Sequence, residues 1–494
     1  MTRISDPARR LAPGAAVVSV QVPQAEIALY EIRKKIYPRA VQGVYARWRW
    51  TLVIATQLLF YGLPWLSWNG RQAVLFDLGA RKFFIFGLVF WPQDVIYLAV
   101  LLILSALSLF LFTAVAGRLW CGYACPQTVY TEMFLWVERR IEGDRPARMR
   151  LDAAPVSPRK VLRKSAKHLA WLAIALWTGY TFVGYFTPVA ELGPRTLAFD
   201  VGPWEAFWIL FYGFATYGNA GFMREQVCKY MCPYARFQSV MFDRDTLVIT
   251  YDAARGDPRG ARSRKAHAAA SGLGDCVDCS ICVQVCPTGI DIRNGLQYDC
   301  IGCAACVDGC NQVMDRMGYA RGLIRYTTEN ALARGLDARA IWKRVLRPRT
   351  TIYLGSILLI AVAASVSLYL KNPLKVDVIR DRGVLAREVE AGVIENVYRL
   401  QIMNTDERAR EFVIEAAGLS GLQVVGVAQP VAVQAAATRL VPLRLRASEP
   451  ARVAASGDDA HEGHADTRRI EITVRASDDT HVARVERSSF VFPR

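Results

Sequence analysis

The chain has 494 residues, a formal charge of +17 and 53% hydrophobic residues. That length holds two to four soluble domains, but apolar runs of about 20 residues, enough to cross a bilayer as helices, exclude a wholly soluble protein. The basic residues concentrate in short loops beside those runs, where orientation and anionic lipid account for them, so nucleic acid is excluded as a partner.

Residues 1–49 include Arg33, Lys34, Lys35, Arg39, Arg47 and Arg49 and read as a cytoplasmic N-terminal segment. Within it, Ala15 to Val22 is too short for the apolar core of a signal peptide. Five spans are expected at about 50–68, 95–115, 169–186, 204–222 and 352–370. The second, VIYLAVLLILSALSLFLFTAV, carries no charge, whereas Pro64, Glu205, Gly213 and Gly218 interrupt the first and fourth. Eleven Arg or Lys lie between Gly117 and His168, against Arg71, Arg81 and Lys82 in the first connection and only Arg195 in the third. The positive-inside rule therefore places 116–168 and 223–351 in the cytoplasm and 371–494 outside.

All twelve cysteines lie in motifs. Cys121 and Cys125, in WCGYACPQ, directly follow the second span; Cys228 and Cys232, in REQVCKYMCPYARF, follow the fourth. Both pairs read Cys-x3-Cys-Pro, and proline suits the first position of a helix. After Pro126, Val129, Phe134, Val137 and Ile141 recur in a helical rhythm. Cys125 and Cys232 are thus expected at helix N-termini, where the dipole lowers a thiol's pKa and stabilises a metal–thiolate centre. Both spans descend to one membrane face, so four thiolates converge there. Soft sulfur selects copper(I), zinc or an iron–sulfur cluster. The bland alternative, small buried residues at helix breaks, loses weight because the pattern occurs twice, proline included. Met231 offers a thioether, but packing against lipid or a neighbouring helix is the better reading.

After a linker at 223–270, residues 271–320 hold the other eight thiols, as Cys276-x2-Cys279-x2-Cys282-x3-Cys286-Pro287 and Cys300-x2-Cys303-x2-Cys306-x3-Cys310. This doubled spacing is the ferredoxin signature for two [4Fe–4S] clusters, with the fourth cysteine of each run crossing to the other cluster. Cys276, Cys279, Cys282 and Cys310 then hold one cluster, and Cys286, Cys300, Cys303 and Cys306 the other. Zinc does not favour a doubled run, and disulfides do not suit the reducing side of a membrane. Asn311 stands where many ferredoxins have proline, which leaves the second loop's geometry open.

His168 reads as an interface residue and His267 as part of a basic linker; neither is taken as a ligand. Residues 321–351 form a further linker. Beyond the fifth span, alternation such as Ile470, Ile472 and Val474 marks roughly seven short strands, which suggests an immunoglobulin-like sandwich. In ASGDDAHEGHAD, His461 and His464 with Asp458, Asp459, Glu462 and Asp466 offer weak metal donors, although a solvated loop is the preferred reading. The expected fold class is a polytopic α-helical membrane protein of five spans with a cytoplasmic dicluster ferredoxin-like insert and a C-terminal all-β immunoglobulin-like domain.

From KKIYPRAVQGVYARWRW through FWPQD, WCGYACPQTVYTE and VCKYMCPYARFQSVMFD to MDRMGYARGLIRYTTENAL, the chain resembles the FixG/RdxA/CcoG family, cytochrome c oxidase accessory proteins of bacteria. The resemblance implies a multi-pass protein of the bacterial inner membrane with its outer domain in the periplasm. It also implies reduction of copper(II) to copper(I) for assembly of a cbb-type oxidase. Cys121, Cys125, Cys228 and Cys232 would be the reactive thiols, holding copper or a third cluster. The implied partners are oxidase subunits or copper chaperones, a cytoplasmic electron donor and membrane lipid. Rival classes are a quinol-linked electron-transfer subunit and an assembly scaffold whose clusters sense redox state.

Overall fold

Apolar runs fold as helices where a bilayer offers backbone groups no other partner, and the chain's architecture follows from them. The computed structural model describes residues 35–264, 272–380, 386–390, 392–448 and 466–492. Residues 15–22, His267 and the histidine loop at 458–464 lie outside these. Helix α1 (Val44–Gly62) leads through a meander of β1 (Val74–Asp77), β2 (Lys82–Ile85) and β3 (Leu88–Phe90) to α2 (Val95–Ala116). Three helices follow, α3 (Leu119–Tyr123), α4 (Pro126–Glu142) and α5 (Arg145–Ala153), before the long α6 (Pro158–Val183). Helix α7 (Pro203–Thr216) continues through π-helical segments at Tyr217–Met223 and Val227–Met231 into α8 (Pro233–Met241).

Among the described residues, two helices are long and apolar enough to cross a membrane, Pro92–Ala116 and Pro348–Tyr369; the latter is α11 below. Five were expected. The other three have shorter uninterrupted apolar stretches: α1 opens with Arg47 and Arg49, and α6 carries five basic residues before His168. In α7 the regular helical ladder gives way to a π-helical segment after Thr216. Helices α2 and α11 stand side by side, joined by a Tyr97–Ser367 hydroxyl bond of 2.9 Å and a Phe110–Tyr353 ring contact. Helices α6 and α7 pack backbone to backbone, since a Cβ on Gly179 would lie 2.1 Å from the Ile209 carbonyl oxygen. Small residues permit such close approach between helices.

The ferredoxin-like insert hangs on an antiparallel pair, β4 (Val248–Tyr251) and β5 (Ile324–Thr327), with α9 (Ile281–Gln284) and α10 (Ala305–Met317) between them in sequence. After α11 (Pro348–Tyr369) the described residues form nine strands in two antiparallel sheets. These are β6 (Leu374–Arg380), β7 (Arg387–Glu390), β8 (Val393–Asn404), β9 (Arg410–Ala417), β10 (Gln423–Val425), β11 (Val431–Val433), β12 (Thr438–Ser448), β13 (Asp466–Ala476) and β14 (Ala483–Phe492). One sheet runs β10-β12-β8-β6 with β7 on the edge of β8; the other runs β11-β9-β13-β14. Alternate residues such as Tyr398, Leu400 and Ile402 face Phe412, Ile414, Ile472 and Phe490 in a shared core, the period-2 burial that makes a sandwich.

The sandwich rests on the meander between α1 and α2. Glu407 accepts bonds from Arg71 (2.7 Å) and Trp68 Nε1 (3.2 Å). Lys375 and Lys371 reach Asp94, ahead of α2, at 2.6 and 3.0 Å, and Met403 packs with Leu75, Phe84 and Trp91. The ferredoxin-like insert lies at the other end of α2, where the Leu247 N–H donates to the Val115 carbonyl, so the insert and the sandwich sit at opposite ends of the α2–α11 pair.

Candidate metal centres

Each ferredoxin loop is shaped by an alternation of backbone handedness. Asp278 and Ser280 in the first loop have φ of 48° and 52°, and Gly302 and Ala304 at the matching positions of the second have 68° and 56°. Such alternation turns successive N–H groups inward into an anion-binding nest. Ser280 and Ala304 then start α9 and α10. Asn311 lets α10 run on to Met317, because it keeps the N–H that proline lacks. Its side-chain oxygen accepts the Gly322 N–H at 3.0 Å.

Two apolar cavities open inside these loops. One is lined by Cys276, Cys279, Cys282 and Cys310, with Tyr251, Met314 and Ile324 around them. The other is lined by Cys286, Cys300, Cys303 and Cys306, together with Cys282, Ile249 and Ile292. The crossing of Cys310 into the first group and Cys286 into the second is thus a property of the backbone. Each set of thiols rings a space, as a multi-atom cluster requires. Burial pushes the thiols of Cys300 and Cys310 up to about 12 and that of Cys282 to about 11. Eight thiols around two dry cavities fit [4Fe–4S] clusters, whose iron deprotonates its ligands outright.

Cys125 and Cys232 stand at the N-caps of α4 and α8, each followed by proline. Cys121 lies in α3 and Cys228 in the second π-helical segment. All four are within electrostatic reach of one another. The expectation of a lowered pKa does not hold at Cys125. Burial pushes Cys121 up to about 12 and Cys228 up to about 11, each reinforced by Cys125 and opposed by Arg118. At Cys125, burial also wins over the Gln127 and Thr128 N–H groups of the helix start. At Cys125, dehydrating a thiolate thus costs more than the helix terminus returns.

The quartet packs directly on the second cavity. A Cβ on Gly122 would lie 2.8 Å from the Ile301 oxygen and 2.9 Å from the Cys303 nitrogen, so only glycine allows the approach. Cys121 and Cys228 share one apolar cluster with Ile301 and Cys303. The Cys121 thiol donates to Gln238 Oε1 at 3.3 Å, and fully buried Gln238 donates in turn to Thr113 at 3.3 Å. Met231 points outward, 56% exposed. His168 bonds the Tyr217 hydroxyl at 3.0 Å and stacks on Phe222, away from the thiols. Sequence reasoning missed Gly122, Gln238, Arg49 and Arg118. Only RLWCG, a cation three residues before a cysteine, offered a signal for the last.

Two helices long and apolar enough to cross a membrane, with thiol-lined cavities at one end and a β-sandwich at the other, define an iron–sulfur electron-transfer protein. Residues 98–143 match the family described as a 4Fe-4S binding domain, 223–329 the 4Fe-4S dicluster domain, and 364–493 the IG-like fold at the C-terminal of FixG. The chain is 38% identical over 433 residues to the nitrogen fixation protein FixG of Rhizobium meliloti, covering 81% of this chain and 83% of that protein. It is 40% identical to RdxA of Cereibacter sphaeroides (86% and 92% covered) and 41% identical to RdxB of the same organism (78% and 82%). The chain belongs to the FixG/RdxA family.

Proposed function

We propose that this protein uses iron–sulfur centres to reduce copper(II) to copper(I) for assembly of a cbb-type cytochrome c oxidase. The observation that supports it most is an unbroken file of thiols. The two cavities share Cys282, and the second touches the membrane quartet through Gly122 and Cys303. In this reading Cys276, Cys279, Cys282 and Cys310 hold one cluster and Cys286, Cys300, Cys303 and Cys306 the other. Cys121, Cys125, Cys228 and Cys232 form the centre that meets copper. When bound, such clusters carry single electrons, the stoichiometry that copper reduction needs. Thiolate sulfur favours the copper(I) product, while Gln238 orients Cys121. Five helices cross the bacterial inner membrane, with the basic loops and thiols in the cytoplasm and 371–494 in the periplasm. The sandwich meets oxidase subunits or a copper chaperone, and the basic inner face attracts an acidic electron donor.

Dithionite-reduced protein mixed with copper(II) and a copper(I)-specific chelator tests the reading. Cys121→Ala or Cys232→Ala should abolish copper(I) formation while the ferredoxin-type spectrum persists; normal reduction by both variants would overturn the role of the quartet.

One observation favours a second reading, electron entry from a lipid-soluble quinol. A groove of about 570 Å³ between α1, α4 and α6 is lined by Gln57, Tyr61, Met133, Trp136 and Trp177, a size suited to a small ligand. Gln57 Oε1 there has no hydrogen-bond partner. Quinol oxidation by the isolated protein would support this entry; inertness toward quinol would remove it.

A further inference from the structure

Four basic side chains are buried among the described residues: Arg49, Arg118, Arg148 and Lys167. Two of them are paired with carboxylates, Arg148 with Glu138 at 3.0 Å and Lys167 with Glu142 at 2.9 Å. The other two face thiols. Arg49 lies within electrostatic reach of Cys303, and Arg118 within reach of Cys121, Cys228 and Cys300. Both have a buried Nε without a partner, and among the described residues neither forms an ion pair with a carboxylate.

Arg118 has the more telling placement. Its carbonyl oxygen lies where a Cβ on Gly302 would meet it at 3.1 Å, so its backbone borders the loop of Cys300 and Cys303. Three residues later comes Cys121. Its side chain, 5% exposed, reaches across to donate to the Ala235 carbonyl at the start of α8, just past Cys232. The guanidinium is thus anchored at the start of α8, within electrostatic reach of Cys121, Cys228 and Cys300. A buried cation left without an anion is strongly unfavourable, and neutral thiols do not supply one. Metal-bound thiolates do.

We propose that Arg118 is the shared counter-charge of the membrane thiol centre and of the adjacent cluster, and that it raises the reduction potential of both. The cluster held by Cys276, Cys279, Cys282 and Cys310, one cavity further away, has instead Arg293 in its lining, a cation already paired with Asp278 and Asp291, and stays at lower potential, so electrons run toward the membrane. The physical basis is that reduction adds negative charge, which a nearby fixed cation stabilises, and net charge is one of the protein's levers on cluster potential. This rests on the reading that the quartet holds a metal–thiolate centre.

The test uses the full-length protein, purified anaerobically, with iron content measured and potentials obtained by EPR-monitored titration. In Arg118→Gln the signals of the two nearer centres should move to more negative potential. A tenfold change in the one-electron equilibrium is expected, about 59 mV, with the distant cluster unmoved. Arg118→Lys should restore most of the shift. Full iron content with all potentials unchanged in Arg118→Gln would overturn the proposal, as would a lysine variant displaced as far as glutamine. If Arg118→Gln fails to load iron, the lysine variant decides: loading supports a need for charge, and failure assigns the residue to its bond with Ala235 and overturns the proposal. Should wild-type protein carry no centre at the quartet, the underlying reading fails, yet the shift at the Cys300-side cluster still measures Arg118.

Discussion

At the scale of single residues, Gly122 is what lets the Cys121 segment lie against the second cavity. A methyl group there would enter the Ile301–Cys303 backbone, and backbone cannot rotate aside. Gly122→Ala should cost about 1–3 kcal/mol as an overpacking change and lower iron bound per chain, measured by iron analysis beside a thermal melt. Glu138 makes a second case, with the sign set by charge. Burial pushes its carboxyl up, but Arg224, Arg148 and Lys167 together overcome that and hold it below its ordinary 4.5. Arg148 and Arg224 lie 3.0 and 3.1 Å away. Because the folded-state value is depressed, this stability is present in full above pH 4.5 and is lost as pH falls below it. Glu138→Gln leaves Arg148 and Arg224 short of an anion, while Lys167 keeps Glu142, so it should destabilise by about 3–5 kcal/mol at neutral pH. It should also flatten the acid limb of a stability–pH profile; a profile as steep as wild type would count against this account.

At the scale of elements, what was legible was local. Cys-x2-Cys spacing dictates a loop, and Cys-Pro dictates the start of α4 and of α8, because proline constrains the residues beside it. The period-2 rhythm of Ile470, Ile472 and Val474 dictates one buried face of β13. What escaped notice depends on distant partners. Asp308, in α10, accepts the N–H groups of Ala46 (2.7 Å) and Tyr45 (3.3 Å) and so caps α1 from more than 260 positions away. Nothing near Gly43 announces this, since the helix's own N-cap position has no side chain. The raised thiol pKa values were equally hidden: a helix terminus can be read from proline, but burial comes from Ile301 and Val285 packing across. Even so, the cap is testable. Asp308→Ala should weaken α1 by about 1–2 kcal/mol, seen as faster amide exchange in its first turn, with Asp308→Asn retaining part of the protection.

At the scale of the molecule, thiol chemistry and β-sandwich are physically separate. Every cysteine precedes residue 311, and the sandwich core of Tyr398, Leu400, Phe412, Leu443, Ile472 and Phe490 contains none. The ferredoxin-like insert has a small core, and its cavities leave thiols facing one another where a cluster would bridge them. Binding free energy at such a site is folding free energy, whereas the sandwich stands on its large buried apolar core. Removing iron with a chelator under mild oxidation should therefore lower the melting of one part of the chain and leave the other in place. Calorimetry on the intact detergent-solubilised protein should show two transitions, of which only the lower shifts downward on iron removal. Limited proteolysis of the stripped protein should then cut within 272–327 before it cuts within 374–448. A single transition moving as a whole would mean that the contacts of Glu407 with Arg71 and of Lys375 with Asp94 bind the sandwich to the apolar helices more tightly than two salt-bridged patches provide.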